Sequence, residues 1–447
     1  MKSIKLKKGL NIAIDGKAAT EIVSLCQPET ITIVPDDFLG FIPKLAVKEG
    51  EAVKAGSVLL FDKDHPELKI VSPVSGTVTE ILRGERRKLL RVSVKRDTVI
   101  AYEKFPKINL ASSREDILET VLSAGFGAFI KRRPYDVVIN PTQVPKNIFV
   151  SAFDSAPLAP DYNFVLKGRV SDVQMGLSVL AKLTDGKVYY SVSPETSAEL
   201  RHMLNVEVTE FIGAHPAGNV GVQINALHPV NKGEVVWTMN VQDVAALGAF
   251  ANTGKVDLHK IIALVGPEVI NPCYFRTFAG TPVSAITKCE LSKGVKVRVV
   301  NGNVLTGIQA DDNSFLNAFA GEVSAIAEGD NADELFGWIS PRINKFSASW
   351  SYPWRFIKKH FDYDARLLGG RRALFVSGEY EKVFPMDIMP EQLLKAMIAK
   401  NLDKMEQLGA YEVAPEDFAL CEFVCPSKIE IQKIVREALD YMRKELE

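Results

Sequence analysis

Cysteine is scarce in this sequence. Five residues, Cys26, Cys273, Cys289, Cys421 and Cys425, are scattered over 447 positions, an odd count that excludes a secreted disulfide framework and points to a reducing compartment. Long apolar runs are missing too. Stretches such as VLSAGFGAFI and IIALVG fall far short of the roughly 20 residues a helix needs to cross a bilayer, so contact with a membrane is expected only through partners. No sign of charge dominates. Lys+Arg total 54 and Asp+Glu 55, and the resulting net charge of -1 gives no reason to expect nucleic acid or anionic lipid as a partner. The opening MKSIKLKKGLNIAIDG is basic but has no continuous apolar stretch and no cleavage site, which predicts no signal peptide. His65, His202, His215, His228, His259 and His360 never pair at metal-ligand spacing, and HEXXH, G-x-S-x-G and P-loop motifs are absent. No complete catalytic centre is expected in the chain alone.

What is present divides into four blocks, against a prior of roughly three domains at about 150 residues each. Residues 1–105 form the first, where IPKLAVKEGEAVKAGSVLLFDKDHPELKIVSPVSGTVTEI alternates short apolar runs with Gly50, Gly56, Gly76, Pro66 and Pro73, the spacing of short strands and tight turns. This order resembles the hammerhead of biotinyl and lipoyl carrier domains, and Asp62-Lys63 is similar to the lipoyl Asp-Lys pair. The segment from Lys63 to Ser72 is nevertheless longer than a lipoyl hairpin and contains Pro66, and a biotin-type Met-Lys-Met is missing, so Lys63 is read as an exposed turn lysine.

Residues 106–258 alternate helix and strand, which predicts an α/β layer with much parallel pairing. REDILETVLSAG reads as a helix capped by Ser113 and stopped by Gly125, and SDVQMGLSVLAKLTDG as a second. DVVIN, NIFVSAF, KVYYSVS and TEFIGAH read as strands. No G-x-G-x-x-G follows any strand, so a dinucleotide site is unsupported and the domain is Rossmann-like but degenerate. Residues 259–330 suggest a β-grasp module, with TPVSAITKCEL as its helix and Asn301-Gly302 as a tight hairpin turn. Residues 331–447 are expected to hold a linker, rich in aromatic and basic residues, and a helical domain. There Leu393, Leu394, Met397, Ile398, Leu402, Met405 and Leu408 read as one helical face, and Ser427 with Glu430 as a capping box.

Two groups of residues invite chemistry. Cys421 and Cys425 in LCEFVCPSK match the tail of the ferredoxin run C-x2-C-x2-C-x3-C-P, but the two preceding ligand positions hold Phe418 and Pro415, so the pair is read as a relic packed between helices. In AGFGAFIKRRPYDVVINP, Phe126, Phe129 and Tyr135 surround Lys131, Arg132 and Arg133. Aromatic faces beside cations suit a flat, polarised ring, and equally a basic loop at a protein interface.

The segments IKLKKGLNIAIDGKA, IPKLAVKEGEAVKAG, SPVSGTV, IKRRPYD, PKNIFVSAFDSAPLAPD, GAHPAGNVG, LVGPEV, NVLTG and FPMDIMPEQLLKAMI together resemble the NqrA family, the A subunits of the bacterial sodium-translocating NADH:quinone oxidoreductase, over nearly the whole chain. That family is related to the C subunit of the Rnf complex and to the flavin-bearing NADH subunit of complex I. The resemblance implies a barrel-sandwich-hybrid-like β module, a degenerate α/β domain, an SLBB-like β-grasp module and a degenerate iron–sulfur helical domain. It also implies a peripheral subunit on the cytoplasmic face of the inner membrane, beside the membrane-bound B subunit and the other members of a six-subunit complex. Flavins and an iron–sulfur centre belong to the partner subunits, and this chain is expected to bind no cofactor, with quinone as its ligand. The flavin-bearing relatives carry a glycine-rich loop that here corresponds to SAGFGAFIKRRP, where side chains fill the glycine positions and exclude flavin and NADH. Phe126, Phe129, Lys131, Arg132, Arg133 and Tyr135 are thereby expected near quinone. The alternative is a scaffold that binds no small molecule.

Overall fold

The computed structural model describes residues 1–24, 28–288, 290–330, 346, 348, 361 and 363–447. Cys26, Cys289, His360, residues 331–345 of the expected linker and most of the aromatic and basic stretch 347–360 lie outside these.

At the centre is a seven-stranded sheet in the order Lys2–Lys5, Glu207–Ile212, Val188–Val192, Asn147–Ser151, Val236–Thr238, Lys131–Arg133, Val137–Val138. The first five strands are mutually parallel and the last two are antiparallel. From Asn147–Ser151 the chain steps outward to Val188–Val192 and Glu207–Ile212, then returns to lay Val236–Thr238 on the other side of Asn147–Ser151. The strand order therefore reverses beside Ser151, and such reversals open a crevice at the carboxyl ends of the strands.

Alternation along Asn147–Ser151 fixes both layers. Ile148 and Val150 enter the main core with the helices Val170–Lys182 and Val241–Thr253, while Phe149 faces Ile224 of the helix Val220–Leu227 on the opposite side. The pair Val170–Lys182 and Val241–Thr253 crosses at Gly176 and Gly248, where an added Cβ would lie 2.0 Å from the Val244 carbonyl oxygen and 1.8 Å from that of Asp172. The predicted helix over 114–125 forms as Arg114–Ser123, with Ser113 Oγ accepting the Asp116 N–H and Gly125 turning at φ +82°.

The amino-terminal module packs a four-stranded sheet and a three-stranded sheet, joined through the hairpin-rich region from Thr30 to Arg96. Asp62 is buried at the start of the turn between Val58–Asp62 and Lys69–Val71, accepting the N–H groups of Ile42, Asp64 and His65. It organises that turn and leaves Lys63 exposed beside it. Two early segments leave this module: Lys2–Lys5 edges the seven-stranded sheet, and Ile22–Val23 edges a six-stranded mixed sheet.

That mixed sheet, with the helix Val283–Thr287, is the β-grasp-like unit. The hairpin after Asn301 is wider than expected. Asn301 pairs with Ile308, and NVLTG forms the turn, because Asn303 Oδ1 collects the N–H groups of Leu305 and Thr306 while the Gly302 N–H bonds to the Glu322 carbonyl. Two corrections fall in the helical domain. The single stripe expected over 390–408 is two helices, Pro390–Ile398 and Leu402–Gln407, because Lys400 turns at φ +50° and Asn401 caps a new helix through the Lys404 N–H. The Ser427–Glu430 capping box does not form. Ser427 bonds the Ala373 carbonyl, Glu430 pairs with Arg371, and Glu422 accepts the Gln432 N–H instead.

Candidate functional site

At the topological reversal lies a cleft of about 200 Å³. Ser151, Phe153 and Asp154 come from the end of one parallel strand, and Thr238, Met239 and Asn240 from the end of its neighbour. Gly218 to Val220 at the start of the helix Val220–Leu227 form one wall. Phe129, Lys131, Asp136, Tyr162 and Phe319 form the rest, with Glu416 reaching in from the helical domain. Asn240 Nδ2 donates to the Tyr162 hydroxyl at 2.9 Å, which fixes that ring at the wall.

Lys131 is the cation of this cleft. Its Nζ stands 4.6 Å from the Phe319 ring centroid and 3.6 Å from Asp136 Oδ2. Burial opposes the charged form of the Asp136 carboxyl, but Lys131, Arg133 and Arg436 outweigh it and hold the pKa below the usual range. Phe129 sits edge-on to both Phe38 and Phe319, with centroids 5.8 and 6.1 Å away, and Lys260 Nζ lies 5.4 Å from its centroid on the side away from the cleft. The floor is thus a rigid aromatic group with a lysine above it.

Of the six residues singled out in the sequence, only Phe129 and Lys131 line the cleft. The strand alternation that aims Lys131 inward turns Arg132 away, where its guanidinium makes a two-pronged bond to Glu447 at 2.5 and 2.6 Å. Arg133 is fully buried between Asp136, Asp417 and Glu416. Burial disfavours its charge, and the three carboxylates more than offset this, so its pKa lies above the ordinary arginine value. Tyr135 lies in the core of the helical domain, and Phe126 packs on Phe250 at 5.2 Å. Arg132, Arg133 and Tyr135 therefore tie the central sheet to the helical domain behind the cleft, while Phe126 packs within the α/β domain. Tyr162, Asn240, Phe319 and Glu416 went unnoticed in the sequence. The available signal was their position, since Asn240 directly follows a strand end and caps the next helix.

The glycines of SAGFGAF are packed closely against other parts of the protein. A Cβ on Gly125 would meet the Val71 side chain at 2.8 Å, and one on Gly127 would meet Leu122 at 2.5 Å and Leu68 at 2.9 Å. They let the turn Phe126–Phe129 press against the amino-terminal module. Cys421 and Cys425 lie in the apolar core of the helical domain, with the Tyr380 hydroxyl 2.9 Å from Cys425 Sγ. Burial pushes the Cys421 thiol well above its usual range. Among the described residues no group of three or more His, Cys, Asp or Glu side chains is arranged to hold a metal ion.

Fold and cleft together define a multidomain α/β protein in which a barrel-sandwich unit, a β-grasp unit and a helical domain surround a parallel sheet with an open switch-point cleft. Family models match in the same order: the NqrA N-terminal barrel-sandwich hybrid domain over residues 4–97, the NqrA second alpha/beta domain over 112–256, and the NQRA C-terminal domain over 261–312. Full-length relatives, each named as the A subunit of a Na(+)-translocating NADH-quinone reductase, include those of Haemophilus influenzae (strain PittGG), 38% identical, and Pasteurella multocida (strain Pm70), 37% identical, both aligned over 99% of this chain and 100% of the relative. The chain belongs to this NqrA family, the A subunits of Na(+)-translocating NADH-quinone reductase. Among solved structures, an NAD+-reducing [NiFe]-hydrogenase in the H2-reduced state is similar over 77% of this chain and 66% of that one, at 12% identity and a TM-score of 0.38, too distant to bear on the site. No helix among the described residues is long and apolar enough to cross a membrane.

Proposed function

We propose that this chain is a peripheral subunit of a sodium-pumping NADH:quinone reductase, on the cytoplasmic face of the bacterial inner membrane, and that its switch-point cleft receives a quinone head group. The observation that carries this is the pairing of Lys131 with the aromatic floor of Phe129 and Phe319. A quinone is a flat ring with carbonyl oxygens at its edge, so a ring face suits its body and an ammonium its oxygen. Size supports the same reading. At about 200 Å³ the cleft is smaller than the roughly 300–1,000 Å³ that drug-sized ligands occupy, which favours a single ring over a flavin or a dinucleotide. Flavins and the iron–sulfur centre would then reside in the other five subunits, with the membrane-bound B subunit the neighbour that holds the quinone tail.

Arg132, Arg133 and Tyr135 serve this reading indirectly, by fixing the strand that presents Lys131. Their engagement in internal pairs equally supports a second reading, a scaffold that braces the complex and binds no small molecule. Phe129→Ala and Lys131→Ala in the intact complex separate the two. A raised quinone KM in a complex that keeps all its subunits supports the cleft; an unchanged KM and inhibitor response leaves the scaffold.

A further inference from the structure

We infer that the segment from Leu367 to Val376 is a direct contact with the surface of an anionic bilayer. The segment reads LLGGRRALFV and carries no acidic residue. It has no helix or strand, and Leu367, Leu368, Phe375 and Val376 are 56%, 39%, 51% and 56% exposed. Met389, 61% exposed, belongs to the same neighbourhood, because Glu391 accepts the N–H groups of Ser377 and Gly378 and ties the end of the segment to the helix Pro390–Ile398. Burial normally hides such side chains, and a concentration of them on a soluble surface marks a contact.

Charge complementarity selects the partner. Arg371 and Arg372 are both exposed between the two apolar pairs. Arg371 shares an exposed pair with Glu430, which solvent and salt weaken, and the Arg372 guanidinium has no ion-pair partner among the described residues. Apolar side chains on either side of arginines reproduce the layering of a membrane interface, with leucine and phenylalanine reaching the acyl boundary and guanidinium groups meeting phosphates. The even overall charge of the chain conceals this local excess. The switch-point cleft includes none of this segment, and apolar side chains set on either side of exposed arginines favour an anionic bilayer over a protein partner. The backbone is held at several points, by the Arg372 N–H on the Ser427 carbonyl and by Ser427 Oγ on the Ala373 carbonyl, so the apolar side chains project from a fixed base.

The test uses the full chain with sedimented vesicles, one set of phosphatidylcholine and one containing a third phosphatidylglycerol. Binding is expected to the anionic vesicles and to weaken with salt. Arg371→Glu/Arg372→Glu is expected to lower the partition coefficient at least about tenfold, and Leu368→Ser/Phe375→Ser to lower it similarly, with unchanged circular dichroism and melting. Absence of binding by the wild-type chain, or binding that neither variant alters, overturns the inference. If the variants instead detach the chain from its partners in the complex while the wild type ignores vesicles, the segment is a protein docking surface and the bilayer contact is refuted.

Discussion

Nη1 of Arg133 lies 3.3 Å from Oδ2 of Asp417, with the two side chains 1% and 0% exposed, so one ion pair bridges the central sheet and the helical domain in a place closed to water. Removing one partner strands the other charge. Arg133→Met leaves Asp417, Asp136 and Glu416 without their shared cation and is expected to cost about 3–5 kcal/mol of stability, whereas Arg133→Lys, which keeps the charge, is expected to cost less. Urea denaturation at constant m-value measures both.

The helix crossing at Gly176 and Gly248 makes a second prediction. A methyl group at Gly248 would overlap the Asp172 carbonyl, and neither backbone can retreat without separating Val170–Lys182 from Val241–Thr253. Gly248→Ala is expected to destabilise by at least about 2–3 kcal/mol, the upper part of the range for overpacking. A change of less than about 1 kcal/mol in the same denaturation experiment would contradict the close approach.

His215 gives a pH dependence whose sign is defined. Burial lowers its pKa from 6.5 to about 4, so the native imidazole stays neutral while the unfolded one takes up a proton. The stability it contributes is complete above pH 6.5 and is lost as the pH falls towards 4, by about 3 kcal/mol in total. Asp37, whose pKa is raised by burial to about 6, acts in the opposite sense over part of that interval. The comparison that isolates the histidine is therefore wild type against His215→Asn, measured at about pH 7 and again near pH 4.5, within the window those two pKa values define. The difference between them is expected to shrink at the lower pH.

The buried thiols predict chemical silence. Cys421 is raised well above its usual range and Cys273 to about 11, in both cases chiefly by burial. In the native protein at mildly alkaline pH both are expected to resist a thiol reagent that modifies them fully after unfolding. Site-resolved mass spectrometry reads this directly, and labelling of Cys421 at the rate of a free cysteine would contradict its burial.

Much of the architecture could be read from local pattern. Ser113 and Gly125 marked the ends of their helix, and alternation marked Asn147–Ser151 and Val188–Val192. Long-range pairing could not be read this way. Nothing in KSIK discloses a partner strand about two hundred residues later, and the apolar stripe after Pro390 is the same whether Lys400 continues the helix or breaks it. The candidate site was half visible for a related reason. Composition identified the cluster from Phe126 to Tyr135, but the alternation of a three-residue strand decided that Lys131 faces the cleft and Arg132 a carboxylate on the far side. Asn240 and Glu416 join the cleft only through the sheet order and the docking of the helical domain, neither of which has a local sequence signature.

The cleft itself is tested most directly by titrating the purified chain with a short-tail soluble quinone while following tryptophan fluorescence. Trp237 is fully buried and directly precedes Thr238 of the cleft wall, so it reports on occupancy. Saturable quenching at micromolar quinone, abolished by Lys131→Ala and by Phe129→Ala but kept in Arg371→Glu, is the predicted result. A signal that never saturates, or one that survives both cleft substitutions, would contradict a quinone site on this chain.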